Sequence, residues 1–192
     1  ISELEKQQKS IIDVSKIYSS DDIYSKEITL KNEILLKKPK ENFSWEMSSL
    51  NYPNHLGNIY LPSVNNIFLK KKIGKNKFPI SKVISSPLVY EDNIIFSDDV
   101  GTIFSVTQQG KINWKKNIYK KIYKKIYKKI TFSIYKNMLY VADNIGFIYV
   151  ISLENGKISW IKNYGIPLKS NIKVYENKIY LINQDNRIFC IN

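Results

Sequence analysis

The sequence is poor in the residues that build disulfides, metal centres and many catalytic sites. Its 192 residues include one cysteine, Cys190, and one histidine, His55. A single cysteine excludes a disulfide within the chain, and a single histidine leaves little material for a zinc or iron centre. We therefore predict no metal, no cofactor and no catalytic residue. His55 is expected to be structural, and Cys190 to be a buried, inert thiol in the apolar run 188–191.

Long hydrophobic runs and a secretory leader are also missing from the sequence as given. No stretch reaches the roughly 18 consecutive apolar residues that indicate a membrane-spanning helix. The first residues, Ile1 to Lys6, lack the basic-then-apolar order of a signal peptide, and the chain begins with Ile rather than Met. We expect the chain to be a piece of a longer product.

Arginine is nearly absent, although positive charge is abundant. The net charge is +13, from 30 basic and 17 acidic residues, and Arg187 is the sole arginine. Because base and phosphate recognition favours the arginine fork, nucleic acid is not an expected partner. Eight of the thirteen net charges lie in the acid-free run 115–129. The abundance of Lys, Ile and Asn is typical of an AT-rich genome.

One pattern of fifteen residues occurs three times in the second half of the chain. The copies span residues 90–104, 135–149 and 175–189. Each copy is an apolar run, a polar turn and a second apolar run, which is the pattern of a β-hairpin. The turns contain Gly101, Gly146 and Asn186, residue types that readily adopt the left-handed conformation of tight turns.

After the hairpin, the first two copies share a Gly-Lys-Ile-x-Trp element. It places Gly110 before Trp114 and Gly156 before Trp160, so that the tryptophans are 46 residues apart. A repeat of about 40 to 46 residues with four short strands and no helical pattern indicates one blade of a β-propeller. The sequence therefore predicts an all-β fold with a structural role for these glycines and tryptophans. A β-sandwich is the alternative fold.

The repeats also predict the organisation of the chain. The three copies and a weaker unit from Trp45 to about Lys77 give a partial propeller of three to four blades, at residues 42–192. The ring is expected to be incomplete, because the third copy is not followed by its own Gly-Lys-x-x-Trp element. Residues 1–41 contain no glycine and are predicted to form an N-terminal tail or tether, with residues 28–30 and 34–36 as a candidate edge strand.

The Gly and Trp elements resemble the tryptophan-docking motif of the quinoprotein-like propellers, an eleven-residue frame with Gly at position seven and Trp at position eleven. Residues 104–114 and 150–160 fit the frame, but the usual small residue at position one and Asp at position three are replaced. The resemblance implies that these tryptophans and glycines dock neighbouring blades, together with the turn glycines Gly101 and Gly146. A flat indole is suited to filling the wedge between two blades.

Within this group, the chain is most similar to the propeller lipoproteins of the outer-membrane β-barrel assembly machinery. In those proteins an N-terminal segment leads into a first Trp-containing strand, which Phe43-Ser44-Trp45 resembles. The resemblance implies a non-enzymatic periplasmic scaffold attached to the outer membrane. Its expected partner is a protein, either a component of the membrane β-barrel assembly or one of its substrates.

The alternative within the group is a fragment of a pyrroloquinoline-quinone-dependent dehydrogenase. Such enzymes usually have an adjacent Cys-Cys pair and a catalytic Asp, and neither is recognised here. Calcium ligands could come from carboxylates and amides at the repeat turns. These residues are Asp98, Asp99, Asp143, Asn144 and Asn183. Because they occupy the same turn in successive units, we predict that they cap turn backbones instead.

The run 115–130 repeats Ile-Tyr-Lys-Lys with a period of four. On a helix, this period would form a basic amphipathic face suited to an anionic lipid surface. The contacts would then be made by Lys120, Lys121, Lys124, Lys125, Lys128 and Lys129. The competing interpretation is expansion of a short repeat in an inter-blade connection, without a binding role. A basic protein that binds anionic surfaces is thus a second functional alternative.

Overall fold

The computed structural model describes residues 35–62, 66–77 and 85–192. The chain divides into two compact units, residues 1–36 and 37–192. Most of the predicted tail, including residues 28–30 of the candidate edge strand, lies outside the described residues, and residues 35 and 36 of its second part form no strand. All described strands belong to the second unit.

Three antiparallel sheets follow one another along the second unit. Two have four strands and the third has three, and the strands of each sheet lie side by side in chain order. The first sheet contains β1 (Leu88–Tyr90), β2 (Asn93–Ser97), β3 (Thr102–Thr107) and β4 (Ile112–Asn117). The second contains β5 (Ile130–Tyr135), β6 (Met138–Asp143), β7 (Phe147–Ser152) and β8 (Ile158–Asn163). The third contains β9 (Lys173–Tyr175), β10 (Lys178–Ile182) and β11 (Ile188–Ile191).

Equivalent tight turns join the first two strands of the second and third sheets. Lys136 and Asn137, between β5 and β6, have φ angles of 47° and 60°. Glu176 and Asn177, between β9 and β10, have φ angles of 47° and 64°. Two consecutive left-handed residues are typical of the type I′ turn, whose twist matches that of a hairpin. The repeat in the sequence is therefore a repeat of hairpins.

The sheets are arranged around their first strands. β5 lies beside β1 on one side and beside β9 on the other. One apolar cluster packs between the first and second sheets, and another between the second and third. Meandering sheets packed face to face around a shared inner edge form a partial β-propeller. The predicted all-β propeller fold is thus confirmed.

The middle sheet is buried on both faces because its side chains alternate. On β6, Leu139 and Val141 pack in the cluster with the first sheet, whereas Ala142 packs in the cluster with the third. On β7, Tyr149 faces the first sheet and Ile148 the third. Successive side chains of a strand point to opposite faces, so two neighbours can be covered at once. This explains why both strands read as nearly continuous apolar runs.

The weak fourth unit does not form a blade. In the described part of residues 43–77, the chain makes isolated bridges rather than a sheet. Trp45 pairs with Val89, and Met47 pairs with Ser133. These residues add to the inner strands of the first two sheets, so the prediction of three to four blades narrows to three in the described residues.

The lysine-rich run is not the amphipathic helix that its period allowed. Its first residues end β4, its last residue begins β5, and between them Lys121–Lys125 form a short 3₁₀-helix. Ile118 is buried, whereas Ile122 is 74% exposed. The run connects the outer strand of one sheet to the inner strand of the next, so its ends are anchored in the core. No continuous apolar stripe can form along it.

Cys190 is exposed, and the prediction of a buried thiol is wrong. It lies on β11, the edge strand of the third sheet, which pairs with β10. Side chains along β11 alternate, with Ile188 and Cys190 exposed and Phe189 and Ile191 half-buried. The apolar run predicted the strand correctly but gave no sign that one face would remain uncovered.

Candidate functional site

Trp114 lies at the junction of the first two sheets. It belongs to β4 and is 9% exposed, and its indole Nε1 donates a hydrogen bond of 2.6 Å to the carbonyl oxygen of Leu153. The ring lies against Gly156, where an added Cβ would be 2.7 Å from the ring atom Cε3. The tryptophan of the first repeat thus rests on the glycine turn of the second.

The other residues of the docking frame have different neighbours. Gly110 lies against the side chains of Leu69 and Lys71, and Lys71 Nζ donates a 2.9 Å hydrogen bond to the Gly110 carbonyl. Segment 66–77 therefore covers the first glycine turn, as Trp114 covers the second. Trp160 is 37% exposed and is not among the residues of either buried cluster.

The turn glycines contact the chain that leaves each sheet. Gly101 has a φ of 81°, and the ring of Tyr119 lies directly over the position that its Cβ would take. Gly146 has a φ of 106°, and an added Cβ would be 2.7 Å from the carbonyl oxygen of Ile166. In both sheets, the segment after the fourth strand folds back over the turn between the second and third strands. Left-handed geometry and lack of space both favour glycine there.

Tyr119 and Asp143 form a buried hydrogen-bonded pair between the first two sheets. The Tyr119 hydroxyl donates to Asp143 Oδ2 at 2.6 Å. The other carboxylate oxygen accepts hydrogen bonds from the backbone N–H groups of Ile145, Gly146 and Phe147, at 2.9, 2.9 and 2.8 Å. Asp143 is 1% exposed. The pair therefore fixes the connection after β4 to the turn between β6 and β7.

Burial controls the ionisation of this pair. Loss of hydration raises the pKa of Asp143, although the hydrogen bonds that it accepts oppose the shift. Burial, together with the neighbouring Asp143 carboxylate, raises the pKa of Tyr119 far above its ordinary value. Lys128 Nζ lies 4.8 Å from the centroid of the Tyr119 ring, and burial lowers the pKa of this lysine.

Asp98, Asp143 and Asn183 cap the backbone of their own turns, as predicted, whereas Asp99 accepts from the N–H of Lys77 and Asn144 from the N–H of Lys129, both in other segments. Asp98 Oδ1 accepts hydrogen bonds from the N–H groups of Val100 and Thr102, and Asn183 Oδ1 accepts one from Arg187. Asp143 does the same in the second sheet. In the described residues, no group of three or more His, Cys, Asp or Glu side chains is placed to hold a metal ion. Asp98 and Asp99 share one turn and Asp143 lies in another, and the negative charges of all three oppose the lowering of the Lys128 pKa by burial.

The predicted lysine contacts divide into two sets. Four of them are exposed: Lys120, Lys121, Lys125 and Lys129. Lys128 is 4% exposed and donates to the carbonyl oxygen of Ile126, so its prediction as a surface contact is corrected. The connection folds back on itself and encloses this side chain against Tyr119. The side chain of Lys124 lies outside the described part of the chain. We refer to residues 118–129 as the basic loop.

Residues 45–54, here called the inner strap, contact the first strands of all three sheets. The N–H of Trp45 donates to the Val89 carbonyl at 2.6 Å, and the N–H of Val89 donates in return at 3.0 Å. The N–H of Ile134, on β5, donates to the Glu46 carbonyl at 2.7 Å. Lys173, on β9, donates to the far end of the strap. The sequence analysis placed Trp45 in a separate blade and missed the inner strap. The one signal for the strap in the sequence is the alternation of apolar and polar residues in Trp45-Glu46-Met47.

His55 is exposed and follows the inner strap. Its backbone N–H donates to Asn51 Oδ1 at 3.0 Å, and the Asn51 side chain donates to the His55 carbonyl. Both contacts use the backbone of His55. The imidazole therefore has no part in the contacts that close this turn.

Comparison with known proteins gives matches at the level of the fold. No model of a known protein family matches the chain, and no curated protein sequence matches it. Among the described residues, no helix is both long and apolar enough to cross a membrane. The protein class that the fold defines is the β-propeller, with three sheets in the part of the chain that the structure describes.

The similar solved structures come from different kinds of proteins. BamB from Moraxella catarrhalis matches 52% of this chain at 20% identity, with a TM-score of 0.43, over 29% of its own length. A quinohemoprotein alcohol dehydrogenase from Pseudomonas putida matches 52% at 13% identity, with a TM-score of 0.45, over 16% of its length. The WD40 domain of SCAP from fission yeast matches 52% at 13% identity, with a TM-score of 0.37, over 28% of its length. The chain thus spans less than a third of each.

Replacing Gly156 should test the contact with Trp114. Gly156 and Gly165 both have a φ of 71°, but a Cβ would strike the Trp114 ring at Gly156 and meets nothing within 4 Å at Gly165. Gly156→Ala should therefore destabilise the protein by about 1–3 kcal/mol more than Gly165→Ala, the usual cost of overpacking. Urea denaturation of both variants measures the difference. Equal losses would show that the turn accepts a Cβ beneath the ring, and would contradict the tight packing of Trp114 on Gly156.

Tyr119→Phe should lower the free energy of unfolding near neutral pH by about 1–3 kcal/mol, because the buried Asp143 loses a donor. Since the pKa of Tyr119 is raised in the folded state, this residue ionises first in the unfolded state. Its contribution to stability is therefore present below its ordinary pKa of 10.0 and falls as the pH rises above that value.

The difference in unfolding free energy between the wild type and Tyr119→Phe should therefore shrink as the pH rises above 10.0, the ordinary pKa of tyrosine, by up to about 1.4 kcal/mol per pH unit. Urea denaturation of both proteins from neutral to alkaline pH measures this difference. Tyr60→Phe, at a 50% exposed tyrosine, is the control. A difference independent of pH would contradict the assignment of the buried hydrogen bond.

Proposed function

We propose that the chain is a non-enzymatic scaffold that binds protein partners during the assembly of outer-membrane β-barrel proteins, in the periplasm and attached to the outer membrane. The proposal extends the resemblance of the two eleven-residue frames to the propeller lipoproteins of that machinery. The observation that carries it is the contact of Trp114 with the Gly156 turn, which gives the frame a physical role in joining sheets. A scaffold needs such rigid joints because its binding surfaces must keep their relative positions.

The use of the acidic side chains supports a scaffold over a dehydrogenase. Asp98 and Asp143 accept hydrogen bonds from the backbone of their own turns. Asp143 is also buried against Tyr119. A general base must reach the proton that it removes from a substrate, and these carboxylates face backbone donors in separate turns.

Exposed apolar side chains at the outer strands favour a protein partner. Ile112 on β4 is 39% exposed, and Ile161 on β8 is 51% exposed. Large apolar side chains that remain exposed on a folded domain are typical of interaction surfaces.

Site-specific cross-linking in the cell envelope of the source organism tests this function. A photo-reactive phenylalanine analogue at Ile112 or Ile161 should cross-link to a β-barrel assembly component or to an unfolded barrel substrate. The same analogue at Lys115 or Lys162, exposed positions on the same two strands, is the matched control. Products no stronger than those of the controls would contradict the scaffold proposal. Alcohol-dependent dye reduction after addition of pyrroloquinoline quinone and calcium would favour the dehydrogenase.

The basic loop supports a second candidate function, binding to an anionic lipid surface. Lys120, Lys121, Lys125 and Lys129 are all exposed within a loop that contains no acidic residue. Lysines clustered at a membrane surface are attracted to anionic headgroups, and the attraction weakens as salt screens it. The loop could act together with a protein-binding propeller by holding it at the membrane.

Vesicle sedimentation tests the lipid contact. Replacing the four exposed lysines of the basic loop with Gln should remove most binding to phosphatidylglycerol-containing vesicles, and binding by the wild type should fall as salt increases. A matched control replaces four exposed lysines on other loops and strands: Lys157, Lys162, Lys169 and Lys178. Equal losses in the two variants would mean that net charge, rather than the basic loop, is responsible.

A further inference from the structure

The inner strap behaves as an added strand at the centre of the propeller. Trp45 exchanges both of its backbone hydrogen bonds with Val89 of β1, and the Glu46 carbonyl accepts one from Ile134 of β5. A single extended segment thus pairs with two sheets in succession. Main-chain pairing of this kind depends on an extended backbone and is independent of sequence, so these edges can accept other strands.

Side-chain contacts of the inner strap follow a strand-like alternation. Met47 is 3% exposed, and Trp45 packs against the apolar cluster between the first two sheets. Between them, Glu46 accepts a hydrogen bond from the Ser44 hydroxyl. The edges of β1 and β5 therefore favour a segment with large apolar residues at alternate positions, separated by a polar one.

Polar contacts hold the far end of the inner strap. Lys173 Nζ donates to the carbonyl oxygens of Ser48 and Asn51 at 2.7 and 3.0 Å, and to Asn54 Oδ1 at 2.9 Å. The last of these contacts is exposed. Exposed polar contacts contribute little net stability, because water replaces them readily. Asn171 Nδ2 also donates to Ser48 Oγ at 2.9 Å, and the Tyr52 ring lies 4.7 Å from the Tyr175 ring. The far end is thus held by contacts around β9, and the near end by backbone hydrogen bonds and two apolar side chains.

Open space adjoins the paired part of the strap. A cleft of about 540 Å³ lies beside Trp45 and is also lined by Pro87 and Val89. A smaller cavity of about 110 Å³ lies between Ser48 and the first residues of β5. The strap therefore leaves room beside its own side chains for those of a larger occupant.

We propose that the inner edges of β1 and β5 form a strand-accepting site for extended segments of partner proteins, which the inner strap occupies in cis. The favoured ligand is a peptide segment with large apolar residues at alternate positions, as in the strands of unfolded β-proteins. This inference rests on the proposed function, because it takes the partner to be a protein, and it defines which part of that partner is bound. The strap competes with the partner and limits binding to segments that match its pattern.

Peptide binding to the full chain tests the proposal. The probe is a fluorescein-labelled heptapeptide with the sequence of residues 43–49, Phe-Ser-Trp-Glu-Met-Ser-Ser. The control peptide exchanges Glu and Trp, which places Trp beside Met and removes the alternation. Fluorescence anisotropy measures the dissociation constant of each peptide.

Two variants change the occupancy of the site by the strap. Lys173→Gln removes the three lysine hydrogen bonds to the far end of the strap, and Lys169→Gln removes an exposed lysine contact within the third sheet as its control. In a Cys190→Ser background, Met47→Cys with Ser133→Cys joins two bridge partners, whose Cα separation in an antiparallel pair suits a disulfide. Within residues 35–62, 66–77 and 85–192, Ser133 Oγ makes no hydrogen bond that its replacement would remove.

Lys173→Gln should bind the probe about fivefold more tightly than Lys169→Gln, because a larger fraction of molecules has a free site. The oxidised disulfide variant should bind the probe at least about tenfold more weakly than the same protein after reduction. Circular dichroism of the oxidised and reduced forms verifies that both are folded.

Three results would overturn the proposal: equal binding before and after reduction, equal binding of the two peptides, or no binding to any variant. Cross-linking at Ile112 and Ile161 does not depend on the strap. Cross-links to the assembly machinery without peptide binding would therefore reject the strand-accepting site and leave the scaffold function standing. Absence of both would reject the two proposals together.

Discussion

The contact between Trp114 and the Gly156 turn is the interaction on which the joint between the first two sheets depends. A sheet of four short strands has too little apolar surface to be stable alone, so each must pack against a neighbour. The indole supplies apolar area, and its N–H donates to the Leu153 carbonyl, which fixes one position of the ring. Only glycine leaves space for the ring at that turn.

The connection after β4 adds a second joint to the same pair of sheets. Tyr119 covers Gly101 in its own sheet and donates to Asp143 in the next. A connection that begins as an apparently repetitive Lys-rich run is thereby anchored at both ends. Its exposed middle is left free to carry charge. One segment thus combines a buried structural part with a surface that suits an anionic partner.

The proposed binding of partner strands depends on the inner edge of the propeller. The first strands of adjacent sheets lie side by side, so one extended segment can pair with β1 and then with β5. The inner strap shows that these edges form backbone hydrogen bonds with a segment that is not part of any sheet. A scaffold for unfolded β-proteins needs this property, because strands are recognised mainly by their backbone.

The sequence by itself determined the hairpin units, their turn residues and the tryptophan frame, because these depend on local alternation and on residues that tolerate left-handed backbone. It also predicted that Asp98, Asp143 and Asn183 cap turns. Only the tertiary structure decided the burial of Lys128, the exposure of Cys190 and the position of Trp45. These depend on which sheet lies opposite, and neither period nor composition specifies the neighbours that cover a side chain.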